Sequence, residues 1–165
     1  MPNLAVRPRH AFSTNWLVEA EGAALAVAEI RLSRFRSAGE IVVGVRRYEI
    51  RRRGWLRGAY TLLDDGGLMA VAAELHWWSN RVRVQCGHAN WELAPRTWFS
   101  HAYTLREGER EIGRIRPLYL LTSGLSVELP DAIPLPVQVF LAWIVLERRE
   151  RSAATAAATA AAAPP

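Results

Sequence analysis

The sequence predicts a mainly β protein: a closed antiparallel barrel of about twelve strands around a buried, hydrophobic C-terminal helix. Three observations carry that expectation. Two sequence markers recur with one period of 43–44 residues. The runs between them alternate as strands do. The last apolar segment, "DAIPLPVQVFLAWIVLERRER" from Asp131, is apolar on every side yet short for a membrane span.

The chain of 165 residues has the length of one domain. Its opening stretch, "MPNLAVRPRHAFSTNW", shows neither an uninterrupted apolar run nor a small-residue cleavage pattern. Residues 1–13 are therefore expected to be an N-terminal extension, and the protein cytoplasmic. The barrel is expected over 14–150, with an alanine-rich, low-complexity tail at 151–165.

The first marker is carried by three segments: "NWLVEAEGAALAVAEIR" from Asn15, "AYTLLDDGGLMAVAAEL" from Ala59 and "AYTLREGEREIGRIRPL" from Ala102. Each opens on an aromatic residue, Trp16, Tyr60 or Tyr103, passes a glycine-containing turn and enters a second apolar run. Aligned without gaps, they place a small residue ten positions after each aromatic: Ala26, Ala70 and Gly113. Two positions further lie Ala28, Ala72 and Ile115. The second marker matches "GVRRYEI" from Gly44 with "GHANWEL" from Gly87, setting Tyr48 over Trp91. Two markers sharing one period indicate an internal repeat. Four strands per unit give about twelve. "DDGG" at 64–67 and "REGE" at 106–109 sit at hairpin spacing. In "RVRVQC", Val82, Val84 and Cys86 share one face and Arg81, Arg83 and Gln85 the other. Three propeller blades would not close a ring, so a barrel fits better.

The helix follows at about 135–149. Pro134 and Pro136 suit its first turn, where a missing N–H costs nothing. Arg148, Arg149 and Arg151 suit its C-terminal end. A helix apolar on all sides is either buried or in lipid. The run of about 15 residues spans roughly 20 Å at 1.5 Å per residue, against about 30 Å of hydrocarbon. Burial is the expectation, with Val137, Phe140, Leu141, Trp143 and Ile144 as core. Inward-pointing Ala26, Ala28, Ala70, Ala72 and Gly113 would clear room for it. The alternatives are a membrane anchor over 132–146 and a partner-binding helix. Alanine-rich sequence favours helix, so the element could continue into the tail.

The ordered set "YTLLDDGGLMAVA", "YEIRRRG", "YTLREGEREIGRI" and "LPDAIPLPVQVFLAWIVL" resembles the tubby C-terminal-like superfamily, nearest its small bacterial LURP-one-related and phospholipid-scramblase-like members. The resemblance covers about residues 14–150 and implies a twelve-stranded barrel around a C-terminal helix. It also implies a lipid connection for some members. The lysine–x–arginine phosphoinositide signature is missing because the chain has no lysine. Asp64 and Asp65 alone do not make a calcium loop.

No catalytic constellation is legible. His10, His76, His88 and His101 are dispersed, although His88 and His101 could approach each other in a barrel. Glu29, Glu74 and Glu92 read as strand residues with no evident partner, and Cys86 as a structural thiol. No metal, cofactor or catalytic residue is expected, which leaves a non-enzymatic binding or scaffold protein as the reading and a hydrolase of unknown type as its competitor.

The richest surface chemistry is "RRYEIRRRGWLRG", residues 46–58. Arg46, Arg47, Arg51, Arg52, Arg53 and Arg57, with Trp55, are the candidate lipid-binding residues. Trp77 and Trp78 could join them in a basic, aromatic rim. Arginine attracts anionic headgroups, and tryptophan favours the interfacial layer. Alternation sets Arg47, Arg51 and Arg53 opposite Tyr48 and Ile50. With net charge +5, the expected partner is an anionic phospholipid surface, reached peripherally at the inner face of the membrane. Single-stranded nucleic acid ranks lower. The competing reading makes the arginines a solvated face and the aromatics a cap on the barrel, paired with arginine through cation–π contacts. A protein-interaction domain without a lipid role is the further alternative.

Overall fold

The computed structural model describes residues 3–10, 14–23, 25–32, 38–53, 58–65, 67–75, 80–97, 101–118 and 124–161. Twelve strands follow one another: β1 (Asn3–Pro8), β2 (Asn15–Ala20), β3 (Ala26–Leu32), β4 (Gly39–Val43), β5 (Arg46–Arg53), β6 (Ala59–Asp64), β7 (Gly67–Glu74), β8 (Val82–Cys86), β9 (Ala89–Pro95), β10 (Tyr103–Glu107), β11 (Arg110–Pro117) and β12 (Leu125–Glu128). One helix, α1 (Leu135–Ala161), ends the chain. Every strand pairs antiparallel with its sequence neighbours, and β1 closes the ring on β12. Closure leaves no unpaired strand edge.

That closure corrects the expected domain boundary. Residues 3–8 are not an extension but the last stave of the barrel, with Asn3 opposite Glu128 and Val6 opposite Leu125. Leu4 and Val6 are buried while Asn3 and Arg7 are exposed, the alternation of a strand with one face inward. Pro8 obscures the signal, but it stands at the strand's end, where a missing N–H is tolerated. The third repeat unit supplies only β10, β11 and β12, and β1 is its fourth strand.

The repeat survives in the register, with one correction. Trp16 pairs with Ile30, Tyr60 with Ala72 and Tyr103 with Ile115. A bulge follows at the same place in each unit, after Val18, Leu62 and Leu105, which pair with Ala28, Ala70 and Gly113. Ala28, not Ala26, is thus the counterpart of Ala70 and Gly113, and Ala26 is exposed. The cause is turn length. Five residues separate β2 from β3, whereas two separate β6 from β7, so the gapless alignment slips beyond the first turn.

The inward face of the strands is apolar and closes around α1. Pro136 to Leu146 are buried without interruption. Val137, Phe140, Leu141 and Ile144 have no solvent exposure, and Trp143 has 1%. The anchor alternative is thereby corrected, because the 132–146 segment spends its apolar surface on the strands. Among the described residues no helix is long and apolar enough to cross a membrane. Nor do the strands offer lipid an apolar band. Their outer wall carries charged cross-strand pairs, Arg31 with Glu40 and Arg81 with Glu92 among them, and charges at that position are costly in a membrane barrel.

Gly39 on β4 makes room for the helix. A Cβ there would stand 2.8 Å from Trp143 Nε1 and 3.0 Å from the Arg31 carbonyl oxygen. Gly113 serves a different purpose, since its Cβ would meet the Glu128 oxygen at 2.6 Å and Leu129 Cδ2 at 2.7 Å. It clears the chain entering the barrel rather than the helix itself. Gln138, the polar residue of the apolar run, donates to the carbonyls of Ile133 at 2.8 Å and Pro130 at 3.3 Å. It ties down the turn that feeds the helix and so does not lie idle in the core.

The strand order gives the barrel two unlike ends. Five hairpins share one end, and each turns through a residue of positive φ: Gly22, Gly44, Asp65, Gly87 and Gly108. The chain also enters α1 from that end. The other six connections join strands at the opposite end, where the C-terminal part of α1 leaves the barrel. These are the hairpin end and the open end below. The helix extends past the expected 149 to Ala161, about 40 Å in all at 1.5 Å per residue.

Candidate functional site

The three aromatics that open the repeat units stand near the start of β2, β6 and β10, so all three face inward at the open end. Trp16, Tyr60 and Tyr103 are 4%, 0% and 5% exposed. They form a collar around the helix where it leaves the core. Tyr60 packs edge-on against Trp143, ring centroids 5.0 Å apart, and donates its hydroxyl to Glu147 at 3.1 Å. Arg151 donates to Glu147 at 2.7 Å and to the Tyr60 hydroxyl, with its guanidinium carbon 5.9 Å from the Tyr60 ring centre.

Around the collar, Arg148 reaches Glu74 at 3.0 Å and Asn80 at 3.4 Å. Arg148 is 8% exposed, so the pair with Glu74 is largely shut off from water. Burial and the nearby Glu147 carboxylate push the Tyr60 phenol well above its ordinary range. Burial also raises the Tyr103 phenol, partly opposed by Arg148 and Arg149. Burial also pulls Arg149 down, because its guanidinium is partly out of water. Glu74, which sequence reasoning left without a partner, is the carboxylate that fixes the helix's basic turn. The signal that could have found it is Glu74 closing a strand at the end where Arg148 and Arg151 must arrive.

The arginines of β5 do not make one patch. Tyr48 and Ile50 are buried and Arg47 and Arg51 lie on the outer wall, as alternation requires. Arg47 pairs with Glu40 at 3.5 Å and Arg51 with Glu49 at 2.7 Å. Arg46 is at the hairpin end, 3.8 Å from Asp64. Arg52 is exposed at the open end, beside Tyr60. Arg53 closes β5, with its side chain outside the described residues, and Trp55, Arg57, His76, Trp77 and Trp78 also lie outside them. His88 in the β8–β9 turn and His101 before β10, which the sequence left free to approach each other, are at opposite ends of the barrel. Among the described residues no three His, Cys, Asp or Glu side chains are grouped to hold a metal ion. Burial raises the Cys86 thiol, which disfavours its thiolate.

Charge divides between the two ends. The hairpin end carries Glu21, Asp64, Asp65, Glu107, Glu109 and Asp131 against Arg46 and Arg110. The six connections of the open end contain six arginines (Arg9, Arg34, Arg36, Arg57, Arg81 and Arg96) and neither aspartate nor glutamate. By sequence they also hold eight aromatic residues, among them Trp55, Trp77, Trp78 and Trp98. Arg52, Arg148, Arg149 and Arg151 add to this side, facing Glu74, Glu147 and Glu150. Comparison with protein families, with curated proteins and with solved structures returns no match for this chain.

Proposed function

We propose that this protein is a non-enzymatic binding module of tubby- and LURP-one-like build that docks on an anionic phospholipid surface through its open end. The barrel with its own helix inside is the fold the resemblance implies, and it supports the family reading. The observation that carries the proposal is the division of charge: by sequence, the connections that join the strands at one end are acid-free and rich in arginine and aromatic residues, and the hairpins at the other end are acidic. Such a molecule orients in the field of a negative bilayer, with about 1 kcal/mol per basic residue near the surface. The interior is filled by α1, so recognition falls to the outside. The reading places the protein peripherally on the inner face of the membrane.

The test is co-sedimentation with vesicles of phosphatidylserine and phosphatidylcholine, against phosphatidylcholine alone. Binding should require the anionic lipid and weaken with salt, because exposed charges are screened over about 8 Å at physiological ionic strength. Replacing Arg52, Arg53 and Arg57 by glutamine should weaken binding by up to about 3 kcal/mol. Replacing Arg47 and Arg51 should change little, since each already faces a carboxylate on the wall. Equal binding to both vesicle types, or equal loss in the two variants, refutes the proposal.

One observation favours a second reading, a protein-interaction domain. Leu25, Val45 and Leu68 are 82%, 100% and 63% exposed on three hairpins at the acidic end. Exposed apolar side chains grouped at one end suit a partner with an apolar, basic face. Capture of a partner that is lost on replacing Val45 and Leu68 by serine, with no vesicle binding, supports that reading instead.

A further inference from the structure

Among the described residues three large apolar side chains are exposed, Leu25, Val45 and Leu68, and all three are at the hairpin end. They belong to successive hairpins, β2–β3, β4–β5 and β6–β7, because β3 pairs with β4 and β5 with β6. Apolar residues exposed by chance are scattered singly over a surface. Neighbouring strands are about 4.8 Å apart, so these hairpins follow one another at roughly 10 Å and the row spans roughly 20 Å.

The carboxylates of this end are unlike those elsewhere. On the wall they face arginines, as Glu19 does Arg7, Glu40 does Arg31 and Arg47, and Glu92 does Arg81. At the hairpin end Asp64 has Arg46 at 3.8 Å. Glu21 has instead the neutral amide of Asn3 at 2.7 Å. Asp65, Glu107, Glu109 and Asp131 are exposed and have no arginine partner among the described residues. In a chain with 21 arginines and a net charge of +5, the carboxylates left without a guanidinium are therefore gathered around the apolar row.

We infer that the hairpin end receives a basic amphipathic helix of a partner protein. This deepens the protein-interaction reading above and rests on it, but uses none of the open-end arginines. Seven residues of helix advance about 10.5 Å, the spacing of the hairpins, so apolar anchors at i, i+7 and i+14 meet the row in register. Lysines or arginines flanking those anchors meet the unpaired carboxylates, and opposite charge across an interface steers and selects the partner. An anionic bilayer fits this end poorly, because its headgroups repel the same carboxylates. A second copy also fits poorly, since three side chains fall far short of the roughly 800 Å² per partner of a stable interface.

The probe is a labelled, amidated leucine–lysine peptide of about five helical turns, with its leucines on one helical face. It is titrated with the full chain by fluorescence anisotropy. Two controls are a peptide of the same composition with leucine and lysine alternating, and a leucine–glutamate helix. The expected result is saturable binding of the basic helix and none of the acidic one. Val45→Ser/Leu68→Ser should weaken binding about tenfold or more, the contribution of burying one apolar side chain. Its thermal unfolding should stay that of the native protein, because both side chains are already exposed. Asp65→Asn/Glu21→Gln should weaken binding several-fold at low salt and flatten its salt dependence. Equal binding of the acidic helix, or of the Val45→Ser/Leu68→Ser variant, overturns the inference, and the latter removes the interaction reading with it. If the alternating peptide binds as tightly and is lost in that variant, the helix is refuted while the protein-binding surface stands. Binding to phosphatidylcholine vesicles that the same variant abolishes overturns the inference in favour of bilayer insertion. Self-association that it abolishes does so in favour of a second copy.

Discussion

Gly39→Ala probes the seat of the helix in the barrel through a single added methyl group. In an unobstructed strand, alanine in place of glycine would stabilise by about 0.5–1 kcal/mol, chiefly by reducing the freedom of the unfolded chain. Here the new Cβ would stand 2.8 Å from Trp143 Nε1 and 3.0 Å from the Arg31 carbonyl oxygen. Trp143 is 1% exposed and held between Tyr60 and Phe140, so it cannot swing clear. Overpacking of this kind costs about 1–3 kcal/mol, and the net expectation is a loss of about 1–2 kcal/mol. Trp143→Phe removes the indole nitrogen, a buried donor with no partner, and relieves the nearer contact. Alone it should cost about 1–2 kcal/mol, less than the 3–5 of full truncation to alanine. In the double variant the Gly39 penalty should shrink by at least about 0.5 kcal/mol, the coupling expected of touching residues. It should not vanish, because the Arg31 oxygen remains. Urea unfolding followed by circular dichroism measures all four proteins. A neutral or stabilising Gly39→Ala, or strictly additive effects, would refute the placement of Trp143 against β4.

Two further perturbations address the collar. Burial raises the folded-state pKa of Tyr60 and Tyr103 above the unfolded value of about 10. Their contribution is whole below pH about 10 and lost as pH rises, since the unfolded chain then releases protons that the folded one keeps. Melting temperature should therefore fall steeply above pH about 10, and the Tyr60→Phe/Tyr103→Phe variant should fall less steeply. An unchanged slope removes the collar from the account. Arg148→Met leaves the Glu74 carboxylate facing Arg151 at 3.7 Å. The cost should be about 2–3 kcal/mol, below the 3–5 of a fully orphaned charge. Adding Glu74→Gln should recover part of it in thermal unfolding, and a double variant worse than the single would contradict the pairing.

The barrel was legible because its signals were redundant. Trp16, Tyr60 and Tyr103 recur with one period, Val82 and Val84 alternate with arginine, and the 132–146 run is too short for lipid and too apolar for water. Two details escaped for local reasons. β1 was hidden because its partner β12 lies at the far end of the chain and Pro8 reads as a breaker. Ala26 was misplaced because turn length, which composition does not fix, decides register after a bulge. The candidate site was harder to read. Glu74 and Arg148 are 74 residues apart in sequence, and such a pairing depends on where a closed ring returns each strand. The β5 arginines were visible as a run, but a run of alternate residues in a strand points to two faces and two ends. The charge division became readable only once the connections were sorted by end.

Hydrogen–deuterium exchange of the free protein, resolved by peptide, tests most directly whether the C-terminal apolar segment is the core of the barrel. Peptides over Val137–Leu146 should exchange only through global unfolding, as slowly as the most protected strands and with the same dependence on urea. Those beyond Ser152, where Ala153, Thr155 and Ala158 are exposed, should exchange much faster. Rapid exchange of Val137–Leu146 while the strands stay protected would mean that the helix leaves the barrel independently. That result would contradict the account at its centre.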